Sequence, residues 1–523
     1  MVSGGDRYVL AIDMGSGSVK ASVVSSRAEV AASALSQITT HLLPDGGAEQ
    51  DPAQWWHAVV EASRAAIANS GVARDRIVAV ACTTQWAVTV PVDRSGEPLG
   101  NAISWMDSRG GRYNRALSRG WPSVQGYGLA KLLRWLRVAG GVPVHSGSDG
   151  LGHVLFLKHE RPEIYAHAHK LLEPMDFLNL KLSGRIAATG ATMFTYWLAD
   201  IRDPAHVDYS PALLRLAGLE REKFPDLVPP ATVIGTLTAD AAAQLGLEQS
   251  TRIVTATCDL QAATIGAGCV RDGEGYFYIG TTSWMSCHIA RKQTDPLHML
   301  SAMPAAIPGR YVVTAEQGMA GRCLEFLRDI LYPEAGADVY ADMNRLAAAV
   351  APGSDGLIFT PWIGGVMAPA DDAWTRSAFF NQSARTTRGH YVRAAMEGIA
   401  FNLRWLKGYV DKFAGRPFET LNFIGGGASS DLWCQIHADI MGCRVRQVAS
   451  PRSANGVGAA MAAFAALGDI QFDAIPSLVK IAAVYEPIAD NRKIYDRRFG
   501  EFMEFYKRAK PVYRRMNLVG DPD

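Results

Sequence analysis

The fold is decided by residues 8–25, YVLAIDMGSGSVKASVVS. Residues 9–12 form a short apolar run that ends at Asp13. The bend Gly15-Ser16-Gly17-Ser18 follows, and Lys20 lies within a second β-rich run over 19–24. This pattern predicts a β-hairpin with a glycine-rich bend. Glycine lacks a Cβ and tolerates positive φ, so such a bend can set backbone N–H groups against an anion. Asp13 stands where the first strand enters the bend. That position suits a hydrated Mg²⁺, which takes one or two carboxylates plus phosphate oxygens. Lys20 adds positive charge nearby. The alternative is a surface hairpin with an ordinary turn aspartate, since short Gly/Ser motifs arise by chance.

A second stretch, 275–290, GYFYIGTTSWMSCHIA, weighs against chance. A β-rich run over 276–279 meets Gly280-Thr281-Thr282-Ser283 and returns over 284–289. The two bends lie about 265 residues apart, near half the chain. That spacing predicts two halves built alike rather than a short-period repeat. Two such hairpins facing each other would clamp a polyphosphate.

The bulk properties set limits. At 523 residues the chain has room for at least two domains, each with its own core. A 48% hydrophobic and 20% charged composition is that of an ordinary globular protein. The net charge of +1 gives no pull toward nucleic acid or an acidic membrane. Seven scattered cysteines with no C-x-x-C pair read as small buried residues in a reducing compartment, not as a disulfide or zinc framework. Residues 1–13 lack the features of a signal peptide, and the small-residue run 456–467 is too short to span a bilayer. A cytoplasmic protein is expected.

Other segments carry candidate chemistry. Residues 51–68 predict a helix with Asp51 as N-cap and Pro52 at the first position; Trp55, Val59, Val60 and Ile67 share its inner face. Residues 76–83 predict a buried strand that ends at Gln85-Trp86. A glutamine at the C-terminal end of such a strand is well placed for a ligand. Trp86 either stacks on the apolar face of a ligand or fills the core. Asp107 either accepts two vicinal hydroxyls or forms a surface ion pair with Arg109, worth ~0–1 kcal/mol. Residues 253–258 predict a buried strand ended by Asp259, with a small-residue helix beyond. Asp259 either caps that helix or accepts a proton from a hydroxyl nucleophile. Residues 127–137 and 391–409 predict amphipathic helices. At 421–445 a strand runs into Gly425-Gly426-Gly427-Ala428 and a helix follows, so the backbone can approach a flat ring closely. Residues 454–467 predict a small-residue helix, and 491–515 a surface-packed helix.

Together these segments resemble the FGGY carbohydrate kinases of the actin/hexokinase/Hsp70 superfamily. The first hairpin resembles D-x-G-T-T-S-x-K/R. Residues 102–109, AISWMDSR, resemble I-x-W-x-D-x-R. Residues 252–270 resemble G-x-x-D-x-x-A-x-x-x-G, and 421–445 resemble G-G-G-A-x-S-x-x-W-x-Q-x-x-A-D-x-x-G. The resemblance implies an α/β fold of two ribonuclease-H-like (actin-like ATPase) domains, 1–252 with the sugar site and first hairpin, 253–523 with the second hairpin and adenosine site. ATP would lie in the cleft between them. Gly15, Ser16, Gly17, Ser18, Lys20, Gly280, Thr281, Thr282, Gly321, Gly426, Gly427 and Asp431 would bind it. Asp13 and Asp259 would face Mg²⁺. Gln85, Trp86, Asp107, Asp259 and Gln261 would contact the sugar, with Asp259 as general base.

The chain also departs from the family pattern. Thr84-Gln85-Trp86-Ala87-Val88 replaces the G-Q-M-H-G of xylulose kinases, Leu260 replaces an Asn or Gln, Gly17 replaces a Thr, and Gly365-Val366 replaces a Glu-Arg pair. The resemblance implies an ATP-dependent, xylulokinase-like phosphotransferase acting on a ketopentose such as xylulose. Ribulose, glycerol or erythritol stand as alternatives, as does a degenerate relative that only binds sugar and nucleotide. Sugar and ATP are the implied partners, and a homodimer is the implied assembly.

Overall fold

The 8–25 stretch forms the expected hairpin in the computed structural model, which describes residues 6–334, 336 and 339–518. Strands β1 (Tyr8–Met14) and β2 (Ser18–Ser25) pair antiparallel, with Asp13 opposite Lys20. Strands β3 (Val30–Gln37), β4 (Ile77–Thr84), β5 (Val233–Thr236) and β6 (Arg252–Cys258) complete a six-stranded sheet ordered β5-β6-β4-β1-β2-β3. The second hairpin is β7 (Gly275–Ile279) with β8 (Thr282–Ile289). Strands β9 (Tyr311–Thr314), β10 (Thr420–Ile424), β11 (Arg444–Val448) and β12 (Ile481–Tyr485) extend it in the order β9-β8-β7-β10-β11-β12.

The two sheets follow one plan. In each, the hairpin and the strand after it are antiparallel neighbours. In each, two further strands then run parallel to the hairpin's first strand, and the outer one carries an antiparallel edge. The expectation of two halves built alike therefore extends well beyond the two bends. Strands β1, β4 and β6 are near-continuous apolar runs, as strands covered on both faces must be, whereas β11 (RVRQV) keeps Arg444 exposed and Arg446 half-buried on one face.

Helices cover these faces. Helix α1 (Pro52–Ser70) starts where expected: the Asp51 carboxylate accepts the Ala53 N–H at 2.8 Å, and Trp55, Val59 and Ile67 are buried. Helix α2 (Asp259–Gly266) follows β6 directly. Helix α3 (Gly321–Leu331) docks under the second bend, and α4 (Arg388–Phe413) buries Met396, Ile399, Leu403 and Leu406. Helix α5 (Asp431–Met441) follows the triple glycine. Helix α6 (Ala454–Ala466) is the small-residue helix, and α7 (Ala489–Asn517) is the tail helix, buried through Tyr495, Phe502 and Tyr506. All seven cysteines are buried and unpaired. Among the described residues no helix is long and apolar enough to cross a membrane.

Three expectations need correction. A boundary at 252/253 would cut β6 from its own sheet, because β6 pairs with β4; the passage to the second sheet runs over 267–274. Helix α6 lies within the second half of the sequence yet packs on the first sheet and on α2. Its contact with α2 is backbone to backbone: a Cβ on Gly266 would lie 1.8 Å from the Ala454 carbonyl oxygen, and one on Gly458 1.8 Å from that of Ala262. Finally, the helix expected over 127–137 is Leu129–Val138, because Tyr127–Gly128 pairs as a short strand.

Candidate active site

The two bends differ from the simple expectation of strained glycine turns. Neither Gly15, Gly17 nor Gly280 adopts positive φ. At Gly17 an added Cβ would meet nothing within 4 Å, so this glycine leaves the exposed rim of the bend bare. The first bend is held from behind. The Gly15 N–H donates to the Ser18 carbonyl (2.9 Å), the Ile38 N–H donates to the Gly17 carbonyl (3.1 Å), and the Ser16 carbonyl accepts from Thr40 Oγ1 and Gln50 Nε2. The second bend is held by α3. Gly321 N–H donates to the Gly280 carbonyl (2.9 Å), and a Cβ on Gly321 would lie 2.3 Å from that oxygen. Gly321 is thus a close-approach glycine, although what it approaches is the bend. Thr281 is exposed above it.

Asp13 and Asp259 stand at the C-terminal ends of β1 and β6, the ends at which open α/β sheets bind ligands. Asp259 is the first residue of α2, and its Oδ1 accepts the Leu260 N–H at 2.7 Å. Burial, then the charges of Glu316 and Asp13, raise its carboxyl to about 7. Burial likewise raises Asp13 to about 6, against the opposing pull of Lys20 and a hydrogen bond from Asn455. Glu316, in the strand Glu316–Met319 beside β8, is reached by solvent yet has protein packed densely around it, and that crowding raises its pKa. Burial and the charges of Asp13 and Asp259 also raise the Tyr278 phenol of β7. These groups, drawn from both sheets, sense one another's charge across one cleft. Lys20 spans it as well: its Nζ donates to the Arg452 carbonyl at 2.7 Å.

The helix carrying Asp259 is braced from the second hairpin. Buried Tyr276 donates its hydroxyl to the Leu260 carbonyl (2.8 Å) and accepts from Trp284 Nε1 (2.9 Å).

The residues expected to contact sugar divide into two groups. Gln85 is buried at the end of β4; its N–H donates to the Met14 carbonyl, its Nε2 donates to Gln50 Oε1 at 2.6 Å, and its own Oε1 lacks a partner among the described residues. A buried amide oxygen without a donor suits a ligand hydroxyl. Gln50, which the sequence did not single out, links Gln85 to the first bend. Trp86 stacks on Phe194 at 5.8 Å and donates Nε1 to the Thr192 carbonyl, so packing accounts for it. Asp107 is wholly buried, and its carboxylate is engaged by Ala48 N–H, Arg109 N–H and the Arg109 guanidinium. It forms neither a free hydroxyl acceptor nor a surface ion pair; Arg109 continues the buried network to Glu49 at 2.7 Å. Trp105, two residues earlier, remains 39% exposed. Gln261 is also committed within the protein: its Oε1 accepts from Thr257, and its Nε2 donates to the Pro304 carbonyl.

At the triple glycine, Gly425 has φ +89°, and a Cβ there would lie 2.4 Å from the Ile279 carbonyl oxygen. A Cβ on Gly427 would press on the Ile279 side chain at 2.9 Å, whereas Gly426 faces open space. The outer glycines therefore seat the loop on β7, and Gly426 presents its bare backbone outward. Asp431 is exposed and accepts from Tyr485 Oη at 2.9 Å.

Among the described residues, no three His, Cys, Asp or Glu side chains form a metal cluster. The Asp13 carboxylate beside a bare bend fits Mg²⁺ held mainly by phosphate oxygens and water.

Both halves of the chain match family models: residues 8–266 the N-terminal domain, and 275–467 the C-terminal domain, of the FGGY family of carbohydrate kinases. The chain belongs to this family. It is 25% identical over 522 residues to a xylulose kinase of Staphylococcus epidermidis, spanning 96% of this chain and 97% of that protein. It is 28% identical over 508 residues to an autoinducer-2 kinase of Enterobacter sp., spanning 94% and 92%. Among solved structures, gluconate kinase from Lactobacillus acidophilus superposes with a TM-score of 0.84 at 21% identity, over 98% of this chain and 100% of that one.

Proposed function

We propose that this carbohydrate kinase transfers the γ-phosphoryl group of ATP to a hydroxyl of a ketopentose such as xylulose, with Asp259 as general base. The observation that carries this reading is the raised Asp259 carboxyl at the end of β6, in a cleft with the bare first bend on one side and the exposed Thr281 of the second bend on the other. A sugar hydroxyl is a weak nucleophile, and a base is most effective when its pKa lies near the working pH. Asp259 accepts the hydroxyl proton, the oxygen attacks phosphorus in line, and ADP leaves. Thr281, Gly280 and the rim from Gly15 to Ser18 hold the phosphates, and Gly426 leaves room for adenosine. Mg²⁺ beside Asp13 supplies charge neutralisation for the phosphates. Gln85 accepts a sugar hydroxyl through its unpartnered Oε1. Closure of the two halves excludes water and limits futile ATP hydrolysis.

A second substrate reading is a short polyhydroxy carbonyl compound other than a pentose. It is favoured by buried Leu260 in place of an amide, by the commitment of Gln261 elsewhere, and by the autoinducer-2 kinase relative. The deciding experiment is sugar-dependent ADP release across ketoses, polyols and linear hydroxyketones, with Asp259→Asn alongside. A sharp ketopentose response lost in the variant supports the first reading. A preference for a non-pentose supports the second. Full activity in folded Asp259→Asn would refute the base assignment.

A further inference from the structure

Behind the cleft, at the opposite ends of the parallel strands, lies a cavity of about 850 Å³. Its walls are the two passages that join the sheets and one face of the second sheet. One wall is the passage from α2 to β7, including Gly268 and Gly273. Another is the return from α6 to β12, including Pro476 and Val479. The two passages touch: a Cβ on Gly268 would lie 3.4 Å from Val479 Cβ. The floor is one face of β10, β11 and β12. Asn422, Arg446 and Val484 are cross-strand partners on that face. Asn422 Nδ2 donates to the Ala267 carbonyl at 2.6 Å, so α2 covers the face as far as β10 and leaves the rest open.

Three of the six charged side chains lining this cavity are held in ion pairs. Arg444 pairs with Glu486, and Glu274 with Arg271 outside the cavity. Arg416 donates to the Asp272 carbonyl, and Glu419 is exposed at the mouth. Arg446 is half-buried and makes no ion pair or hydrogen bond among the described residues. It shares a strand face with Arg444, two residues and about 7 Å away. An exposed pair such as Arg444–Glu486 holds weakly, so a stronger anion can recruit Arg444. Two guanidinium forks beside an apolar strip of Val484, Ile481 and Val479 suit a phosphate group carried on an organic body.

We propose that this cavity is a second binding site, separate from the catalytic cleft, for a small phosphorylated metabolite, and that its occupancy is coupled to cleft opening. The coupling follows from the walls: a ligand there bridges the two passages that join the sheets, so it binds one relative arrangement of the halves better than another. By reciprocity, it and a cleft ligand alter each other's affinity equally. Only the coupling rests on nucleotide binding in the cleft; the site itself does not.

The test is equilibrium dialysis of AMP against the full chain, with the cleft saturated by a non-hydrolysable ATP analogue. Inorganic phosphate and citrate serve as competitors. The expected result is one saturable AMP site, weakened about tenfold or more by Arg446→Gln and by Val484→Asp. Inorganic phosphate should displace AMP better than citrate. If Arg446→Gln fails to fold by circular dichroism, Val484→Asp on the exposed edge strand decides alone. No saturable AMP site, AMP that displaces the ATP analogue instead, binding that a folded variant leaves intact, or citrate matching phosphate would each overturn the proposal.

Discussion

At the residue scale, the site turns on a carboxyl whose neighbours hold back its ionisation. Asp259 is raised to about 7 by burial, then by Glu316 and Asp13. In the proposed role of base it works only when deprotonated, so kcat/KM for sugar should rise with pH along a limb centred near that value. Removing the Glu316 charge while keeping its shape, in Glu316→Gln, should move this limb to lower pH and leave its plateau within a few fold. A limb that stays in place would mean that Glu316 does not act on the base. Asp259 itself was legible in the sequence, because a polar residue that ends an apolar run before a small-residue helix stands out. Glu316 and Gln50 were not, since their importance lies in partners that only the fold brings near. Asp107 was legible as important, but its burial with Arg109 and Glu49 depends on residues about 60 positions away.

At the element scale, the glycines separate into those that seat an element and those that leave a surface bare. Gly458 and Gly266 let α6 and α2 meet at their backbones. A methyl group at Gly458 would meet the Ala262 carbonyl, which has no flexible end to move aside. Gly458→Ala should therefore destabilise by about 1–3 kcal/mol, read as a lower denaturant midpoint. Gly321→Ala should push α3 off the second bend and weaken ATP binding along with stability. Gly426→Ala meets open space and should leave the melting temperature unchanged while still weakening ATP binding, by calorimetric titration. Unchanged ATP affinity in Gly426→Ala would remove adenosine from that loop. The small-residue character of α6 was plain in the sequence. Its docking partner was not, because close packing of small residues does not reveal which sheet lies opposite.

At the scale of the whole molecule, the two halves repeat one sheet plan and are joined where α2 and α6 cross, so the cleft carboxylates are crowded by protein from both sides. The duplication was legible because both bends interrupt β-rich runs with glycine, whereas the exchange of α6 between halves left no local signal. This crowding makes stability depend on pH in a defined sense. In the unfolded chain Asp259 titrates near its ordinary 3.8, and in the folded chain near about 7. Between these values the native state binds more protons than the unfolded state, so this group lowers the unfolding free energy as pH rises through the window. Buried histidines such as His153 and His437, held neutral with lowered pKa values, act in the opposite sense. The net slope of the wild-type protein therefore does not isolate Asp259, but a difference does. Asp259→Asn keeps every other group and removes this one. Its stability relative to wild type should be constant below about pH 4 and should grow toward pH 8. Because water and counterions reach the cleft, the gain expected is about 1–2 kcal/mol rather than the full shift. Urea unfolding of both proteins, without nucleotide, across pH 4 to 8 measures it. A stability difference that stays flat across the window would mean that the Asp259 carboxyl titrates normally in the folded protein, and the case for a base poised near neutrality would fall with it.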